Sequence, residues 1–553
     1  MKRFWGLRGR GLNAAIWALA MFAVMIFGYN QAVAGGVLTT PSFNRQFPKM
    51  DVIDTTGAQK HYNSTIQGTV IALYTLCGTF GALACTFLGD VLGRRGTIFL
   101  ATAVQMVGGI LMASSFSFAQ FIVSRIVVGL GTGGIIATVS VWQSELSKAE
   151  SRGEHVSAFG IFCGLGLVLA LWIDFGFSYF TGSVSWRFPF AFEIVLSVIV
   201  MTFIFTLPES PRWLVKMNRV EEARDIIGLL HNVDAHDDEV QKEIREIQAA
   251  LELAGTFSLR ALFTMGPQRT FHRVLLAAVV QIFLQMTGVN AITYYASSIY
   301  ESDLHFDATV SRILAAASQF AIILGSCLCS WTVDRFGRRP LMLFSSAGMA
   351  ACMACLTGLV SDPDNSAALK AAVFFLYLYY VVYTIGFLGI PFLYASEIAP
   401  AHLRAAVCGI STAVSWLFNF LVAEVTPVAF TDIGYRYFIV YAALNAAFVP
   451  VIYFFFPETA GRSLEELDEI FAASKSFLDP VRVAGRLPHR RRHRLGHVLD
   501  ESSARQETAE TIVQVDHKGS SSQGDVDPEG VQHVENPDDM VVVDPRWTEK
   551  GEV

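Results

Sequence analysis

The chain has 553 residues, 53% hydrophobic and only 16% charged, with a mean hydropathy of +0.44. Soluble domains carry roughly 25% charged residues, so this composition excludes an ordinary soluble protein and places the chain in a bilayer. The formal net charge of -7 says little about partners, because most of the excess acid lies in the polar tail after Phe471, and nothing in it suggests nucleic acid.

The apolar runs are mostly about 20 residues long, enough to cross roughly 30 Å of hydrocarbon at 1.5 Å per residue. About twelve are present, six per half, which makes the expected fold an all-α membrane protein of two six-helix bundles. Lys2, Arg3, Arg8 and Arg10 precede the first run, whereas the loops Ser114 to Phe118 and Gly176 to Trp186 contain no Lys or Arg. Positive charge stays on the cytoplasmic side, so both termini are predicted there. Ala32-Val33-Ala34 looks like a cleavage site, but Leu12 to Tyr29 is longer than the roughly 7–15 residues of a signal core and reads as an uncleaved span. Asn63-Ser64-Thr65, on the predicted outer face, is a glycosylation sequon.

Between the apolar runs Ile66 to Leu88 and Thr97 to Ala113, the stretch Gly89-Asp90-Val91-Leu92-Gly93-Arg94-Arg95 must turn the chain at a membrane surface. Val333-Asp334-Arg335-Phe336-Gly337-Arg338-Arg339 repeats it in the same setting. Glu145 precedes Arg152 by the offset that separates Glu397 from Arg404, and Pro208-Glu209-Ser210-Pro211-Arg212 and Pro457-Glu458-Thr459-Ala460-Gly461-Arg462 close the two apolar blocks. Three paired marks in one order imply an internal duplication.

The fourth run holds Arg125 and then Gly129, Gly131, Gly133 and Gly134. A dinucleotide fingerprint would need a preceding strand, so the glycines read as a close helix-packing face. Arg125 costs about 2.5–3.5 kcal/mol within a span and should face a cavity or a partner. Asp174, Glu193 and Glu424 are intramembrane acids, functional candidates by the same reasoning. From Arg219 to about Leu253 the chain is charged and amphipathic, a cytoplasmic helical linker. The seventh span, Val274 to Ile299, carries Gln281, Gln285, Thr287, Gly288, Asn290, Tyr294 and Tyr295. Three amides in one span should line a wet cavity, and Gly288 is a weak point in the helix. All 8 Cys fall inside apolar spans and read as packing residues, so no disulfide, metal site or cofactor is expected. After a short amphipathic helix, Gly461 to Phe471, the remainder has the composition of a disordered tail, with a basic cluster at Arg486 to Arg494. The resulting division is 1–208, first bundle; 209–270, linker; 271–471, second bundle; and 472–553, tail.

These residues resemble the sugar porter family of the major facilitator superfamily from Phe27 to Phe471. The likeness is carried by Gly28-Tyr29-Asn30-Gln31, the two double-arginine turns, Arg125 with its glycines, Pro208 to Leu214, Gln285-Met286-Thr287-Gly288-Val289-Asn290 and Pro457 to Leu464. Val141-Trp142-Gln143-Ser144-Glu145 and Ser185-Trp186-Arg187-Phe188-Pro189 are similar to fungal members. The resemblance implies alternating access, with both bundles rocking around a central site. It implies a substrate site at Gln281, Gln285, Asn290, Phe392, Asn30 and Arg125, with Tyr294 and Tyr295 as outer gate. It also implies a cytoplasmic salt-bridge latch for the outward-open state, from Asp90, Arg94, Arg95, Glu145, Arg152, Glu209, Arg212, Asp334, Arg338, Arg339, Glu397, Arg404 and Glu458. Gly160, Leu284, Ile322, Ser415 and Phe392 depart from the polar or Trp residues that sugar binders place there. Proton-driven members carry Asp where this chain has Asn30, which cannot titrate, so facilitated diffusion is expected unless Asp174, Glu193 or Glu424 couples a proton. The expectation is a secondary transporter of a sugar or sugar-like molecule, most simply in the plasma membrane. Export of a less polar metabolite and a non-transporting sugar sensor are the alternatives. No nucleophile and base pair, metal cluster or Walker loop is found, so no enzyme is expected.

Overall fold

The computed structural model describes residues 3–146, 152–254, 262–400 and 403–486, apart from positions 267, 305, 363 and 463. Eleven helical runs are long and apolar enough to span a bilayer. The last of these, 406–455, is two helices, Arg404–Ile433 and Tyr437–Phe455, parted by a short turn at Gly434–Arg436, which makes twelve spans among the described residues. Helices are the form expected in hydrocarbon, where each backbone polar group must find its partner within the segment. Large apolar side chains such as Phe87, Phe320, Trp331 and Phe374 are exposed around the bundle, the face that meets lipid.

The second and third spans form one helical run, Gly57–Ala113, broken at Gly93, whose φ of 77° and ψ of 172° reverse the chain. Gly337, φ 93° and ψ 170°, does the same between the eighth and ninth spans. The fourth span, Phe118–Leu146, lies against the second where the glycine series permits it. A Cβ on Gly133 would overlap the Gly78 carbonyl, and one on Gly129 the Tyr74 carbonyl. The linker is helical as expected, over Pro211–Lys216, Val220–His231 and Asp238–Ala254, with Ile226, Ile227, Val240 and Ile244 turned inward.

The halves meet along three pairs of spans: first with seventh, second with eleventh, and fifth with eighth. The seventh span is interrupted. Thr270–Met286 ends, Gly288 takes φ 98°, and Val289–Tyr294 resumes the helix. The Thr287 carbonyl released there accepts the Tyr379 hydroxyl at 2.8 Å and the Asn445 amide at 2.9 Å, so the break is satisfied by neighbouring spans. The tenth span loosens into a π-helical turn at Thr384–Leu388 before Ile390–Ile398.

After the last span, Leu464–Ala473 forms the expected amphipathic helix. A second helix, Asp479–Arg486, lies within the stretch expected to be disordered, and its Ala484 carbonyl accepts a hydrogen bond from Arg462. The apolar side of this short helix buries Ala484 against Leu467 and Ile470, which is why it folds back instead of trailing away. Residues 487–553, with most of the basic cluster, lie outside the described part.

Candidate functional site

The amides of the seventh span meet the eleventh span across a buried junction. Gln285 Nε2 donates to Ser415 Oγ at 2.6 Å, and the Asn290 amide donates to Gln285 Oε1. Gln281, one turn deeper, is fully buried, and neither atom of its amide has a hydrogen-bond partner in the chain. A buried polar group left unmatched costs about 1–3 kcal/mol, so this amide has hydrogen-bonding capacity that a hydroxyl or a water can take up. Ser415, a departure from the family pattern, thus orients Gln285.

Beside these amides an aromatic layer joins the halves. Phe392 is half-buried with its ring 6.1 Å from Phe159, Phe159 lies 6.3 Å from Phe27, and Phe27 and Tyr74 lie 5.9 and 6.2 Å from Trp416. Trp416 was not singled out from the sequence; its place after Ser415 on the site-facing helix was the available signal. The other departures are packing choices. A Cβ on Gly160 would sit 2.7 Å from Ser326 Oγ, so the eighth span occupies the room a longer side chain would need. Ile322 fills the same seam against Gly164.

Asn30 and Arg125 lie in a second buried cluster within the first half. Asn30 donates to the Ile26 carbonyl of its own helix at 3.2 Å. Arg125 donates to the Ile71 carbonyl at 3.2 Å and lies 4.8 Å from the centre of the Tyr74 ring, while its Nε and Nη1 have no hydrogen-bond partner. Glu193, fully buried on the sixth span, interacts with Arg125 and faces Asn30 and Gln105. The structure therefore groups Asn30, Arg125 and Glu193 with one another.

At the opposite end from the double-arginine turns the halves are tied together. The Tyr294 hydroxyl bridges Gln31 of the first span and Asn419 of the eleventh, the latter at 3.0 Å. Tyr295 donates to the Ala423 carbonyl at 3.0 Å, holding this segment against its own half. Arg312 donates to the Thr39 carbonyl at 2.8 Å, and Thr69 donates to Glu424 at 2.7 Å. Exposed His61 and Asp432 approach to 3.5 Å. Asp174 is buried against Gly36 of the first span, its carboxylate oxygens without hydrogen-bond partners. This outer side is closed.

Asn63, the sequon residue, is fully buried. Its amide nitrogen donates to the Pro48 carbonyl at 3.1 Å and the Asp51 carbonyl at 2.6 Å. In the folded chain that atom is engaged and buried, so Asn63 clamps the outer loop and the sequon is not presented at the surface.

The charged turns are built alike in both halves. Arg94 grips Glu145 through Nε at 2.8 Å and Nη2 at 3.0 Å, while Glu209 accepts the Arg94 amide at 3.0 Å and the Arg95 amide at 3.2 Å. Arg338 meets Glu397 at 2.9 Å and Asp334 at 3.1 Å, and Glu458 accepts the Arg338 and Arg339 amides at 3.0 Å each. Glycine is required at the turn, because a Cβ on Gly93 or Gly337 would come within 2.7 Å of the Glu209 or Glu458 carboxylate. Each of these ion pairs stays within its own half. Asp90 pairs with Arg94 and, at 2.8 Å, with Lys216 of the linker, a partner not anticipated. Arg212 is exposed and has no ion pair among the described residues. Arg404 is half-buried at the start of the eleventh span, and the Arg152 side chain lies outside the described part. One further repeat went unread: Trp142 donates to the Pro208 carbonyl and Tyr394 to the Pro457 carbonyl, each at 3.1 Å. Both stand three residues before the paired glutamate of their half.

The chain was compared with known proteins. The family model described as Sugar (and other) transporter matches residues 16–471. Sugar transporter STL1 of Saccharomyces cerevisiae is 35% identical over 495 residues, covering 88% of this chain and 86% of its own. The MFS-type transporter oryC of Aspergillus oryzae is 34% identical over 515 residues, covering 91% and 94%. Among solved structures, the proton:xylose symporter XylE bound to 6-bromo-6-deoxy-D-glucose superposes with a TM-score of 0.69 at 22% identity, over 83% of this chain and 99% of that one. An inward-open form of the E. coli xylose transporter XylE gives 0.67 at 22% identity, over the same shares. With the duplicated turns, the twelve spans and the amide-bearing seventh helix in place, the chain belongs to the sugar porter family and is a multi-pass secondary transporter of the major facilitator fold.

Proposed function

We propose that the protein carries a sugar or sugar-like solute across the plasma membrane by alternating access, down its gradient. The observation that carries this reading is the Gln281, Gln285 and Asn290 set on an interrupted helix at the junction of the halves, with Gln281 free to pair with a hydroxyl. The names of relatives support the substrate class, among them a Galactose transporter of S. cerevisiae, 29% identical over 485 residues and covering 85% of this chain and 82% of its own. Gly160 and Ile322 are taken up in packing the fifth span against the eighth, which leaves the polar contacts to the solute to the seventh-span amides. Asn30 cannot take up a proton, which supports uncoupled transport.

Glu193 favours a second reading, because it faces Asn30 and Arg125 from the sixth span and supplies an acid where the first span has none. Radiolabelled glucose flux into proteoliposomes, with and without an inward proton gradient, separates the two. Saturable flux that ignores the gradient and is lost in Gln285→Ala is expected. Flux that follows the gradient in the wild type and ceases to do so in Glu193→Gln would establish coupling instead. Absence of saturable flux for any sugar tested would reject the substrate class. The membrane address is checked by imaging a fluorescent fusion of the full chain.

A further inference from the structure

The outer ends of the third and sixth spans leave a shallow, wide-open groove of about 440 Å³ on the bundle exterior, lined by Ile110 and Ala113 on one helix and by Phe188, Ala191 and Ile194 on the other. One cation closes its outer end, Arg187. The guanidinium is half-buried, lies 4.7 Å from the centre of the Phe116 ring and 4.5 Å from that of Trp186, and donates to the carbonyls of Ala113 at 2.8 Å and Ser115 at 2.7 Å. Those partners are neutral carbonyls, so they leave its charge uncompensated. They occupy two of roughly five N–H donors, so the cation still has hydrogens for an anion. From Arg187 the apolar wall descends through Phe188, Ala191 and Ile194, about 10 Å toward the middle of the span at 1.5 Å per residue.

We propose that this groove is a phospholipid site of the outer leaflet, with the phosphate on Arg187 and one acyl chain along the third and sixth spans. Each feature excludes a simpler occupant. A free phosphate has no use for the apolar wall, and a hydrocarbon chain alone has no use for a fixed cation at the membrane interface. The surface is on the lipid side of the bundle: Ile110, Val184 and Phe188 are exposed, and hydrocarbon is the medium that meets them. The site also backs onto the buried cluster of the first half, since a Cβ on Gly109, next to Ile110, would overlap the Glu193 carboxylate. A chain seated there props the helices that enclose Glu193.

The test uses the full-length protein in detergent with a phosphatidylglycerol that carries a photoreactive diazirine on its acyl chain. Crosslinked peptides are located by mass spectrometry. Saturable labelling of the peptides around 110–114 and 187–194 is expected, competed by unlabelled phosphatidylglycerol but not by diacylglycerol or by glycerol phosphate. Arg187→Gln should weaken it roughly tenfold, the scale of one charge-assisted hydrogen bond. If that variant does not fold, Ala191→Phe decides, because it fills the groove while leaving Arg187 in place and should abolish labelling at this site. Labelling spread evenly over all lipid-facing helices, or unchanged in Ala191→Phe, would overturn the proposal. So would equal competition by diacylglycerol, which needs no cation, or by glycerol phosphate, which needs no groove. Labelling lost only on self-association of the protein would assign the groove to a second copy and would equally overturn it.

Discussion

In the first half Glu209 sits over Gly93 and receives the amides of Arg94 and Arg95; in the second, Glu458 sits over Gly337 and receives those of Arg338 and Arg339. The clamps match to within a few tenths of an ångström, yet the helices behind them differ. The first half encloses Arg125 and Glu193 within continuous helices. The second half breaks its seventh span at Gly288, loosens its tenth at Thr384–Leu388 and presents its amides beside those defects. Irregular backbone survives at membrane depth only where side chains satisfy it, as Tyr379 and Asn445 do for Thr287. The comparison teaches that duplication preserved the double-arginine clamp, while the breaks in helical backbone were concentrated in one copy.

The most damaging way to probe this asymmetry is at the break itself. Gly288→Ala places a Cβ 2.7 Å from the Tyr441 ring at a φ of 98°. Backbone strain and overpacking each cost about 1–3 kcal/mol, so transport should be lost and the thermal midpoint lowered. Gly176→Ala in the first half, where the added Cβ meets nothing within 4 Å, should change neither. A functional Gly288→Ala would remove the break from the mechanism.

Next in size is Gln285→Ala, which strips the partner from both Ser415 and Asn290. At about 1–3 kcal/mol per unmatched group, flux should fall at least about tenfold, with folding unaffected by gel filtration. The paired clamps should respond less and, above all, equally. Arg94→Ala and Arg338→Ala each remove the guanidinium partner of a carboxylate, Glu145 or Glu397, and should loosen the cytoplasmic end of their own half by about 1 kcal/mol. Cysteine accessibility from the clamp side reports that loosening. Unequal responses would mean that the clamps, despite one geometry, do different work. The smallest effect is expected at the outer rim, where His61 and Asp432 are both about half exposed. Such pairs are worth about 0–1 kcal/mol, so Asp432→Asn should alter the transport rate no more than a few-fold.

Most of the fold was legible because its signals are local. A run of apolar residues states a span, and glycine followed by two arginines states a turn at the surface. That the seventh span carries amides needing partners was equally plain, since Gln281, Gln285 and Asn290 are costly in hydrocarbon. What escaped was partnership across helices. Nothing near Ser415 says that it meets Gln285, and nothing near Gly160 says that Ser326 takes the space beside it. Asn63 carried a true sequon, and only the fold of the outer loop shows its amide consumed by Pro48 and Asp51. The helix Asp479–Arg486 was missed for the same reason: its few apolar residues are too sparse to mark an element until a neighbouring surface receives them.

The sequence by itself determined the number of spans and the duplicated turns between them, because bilayer insertion is decided segment by segment through hydrophobic transfer. Only the tertiary structure decided that Asn30, Arg125 and Glu193 form one buried cluster, that the outer side is closed through Tyr294, Arg312 and Glu424, and that the described ion pairs of the double-arginine turns stay within their halves. Those outcomes depend on which faces of separate helices come into van der Waals and hydrogen-bond contact, and such contacts arise between residues far apart in the chain.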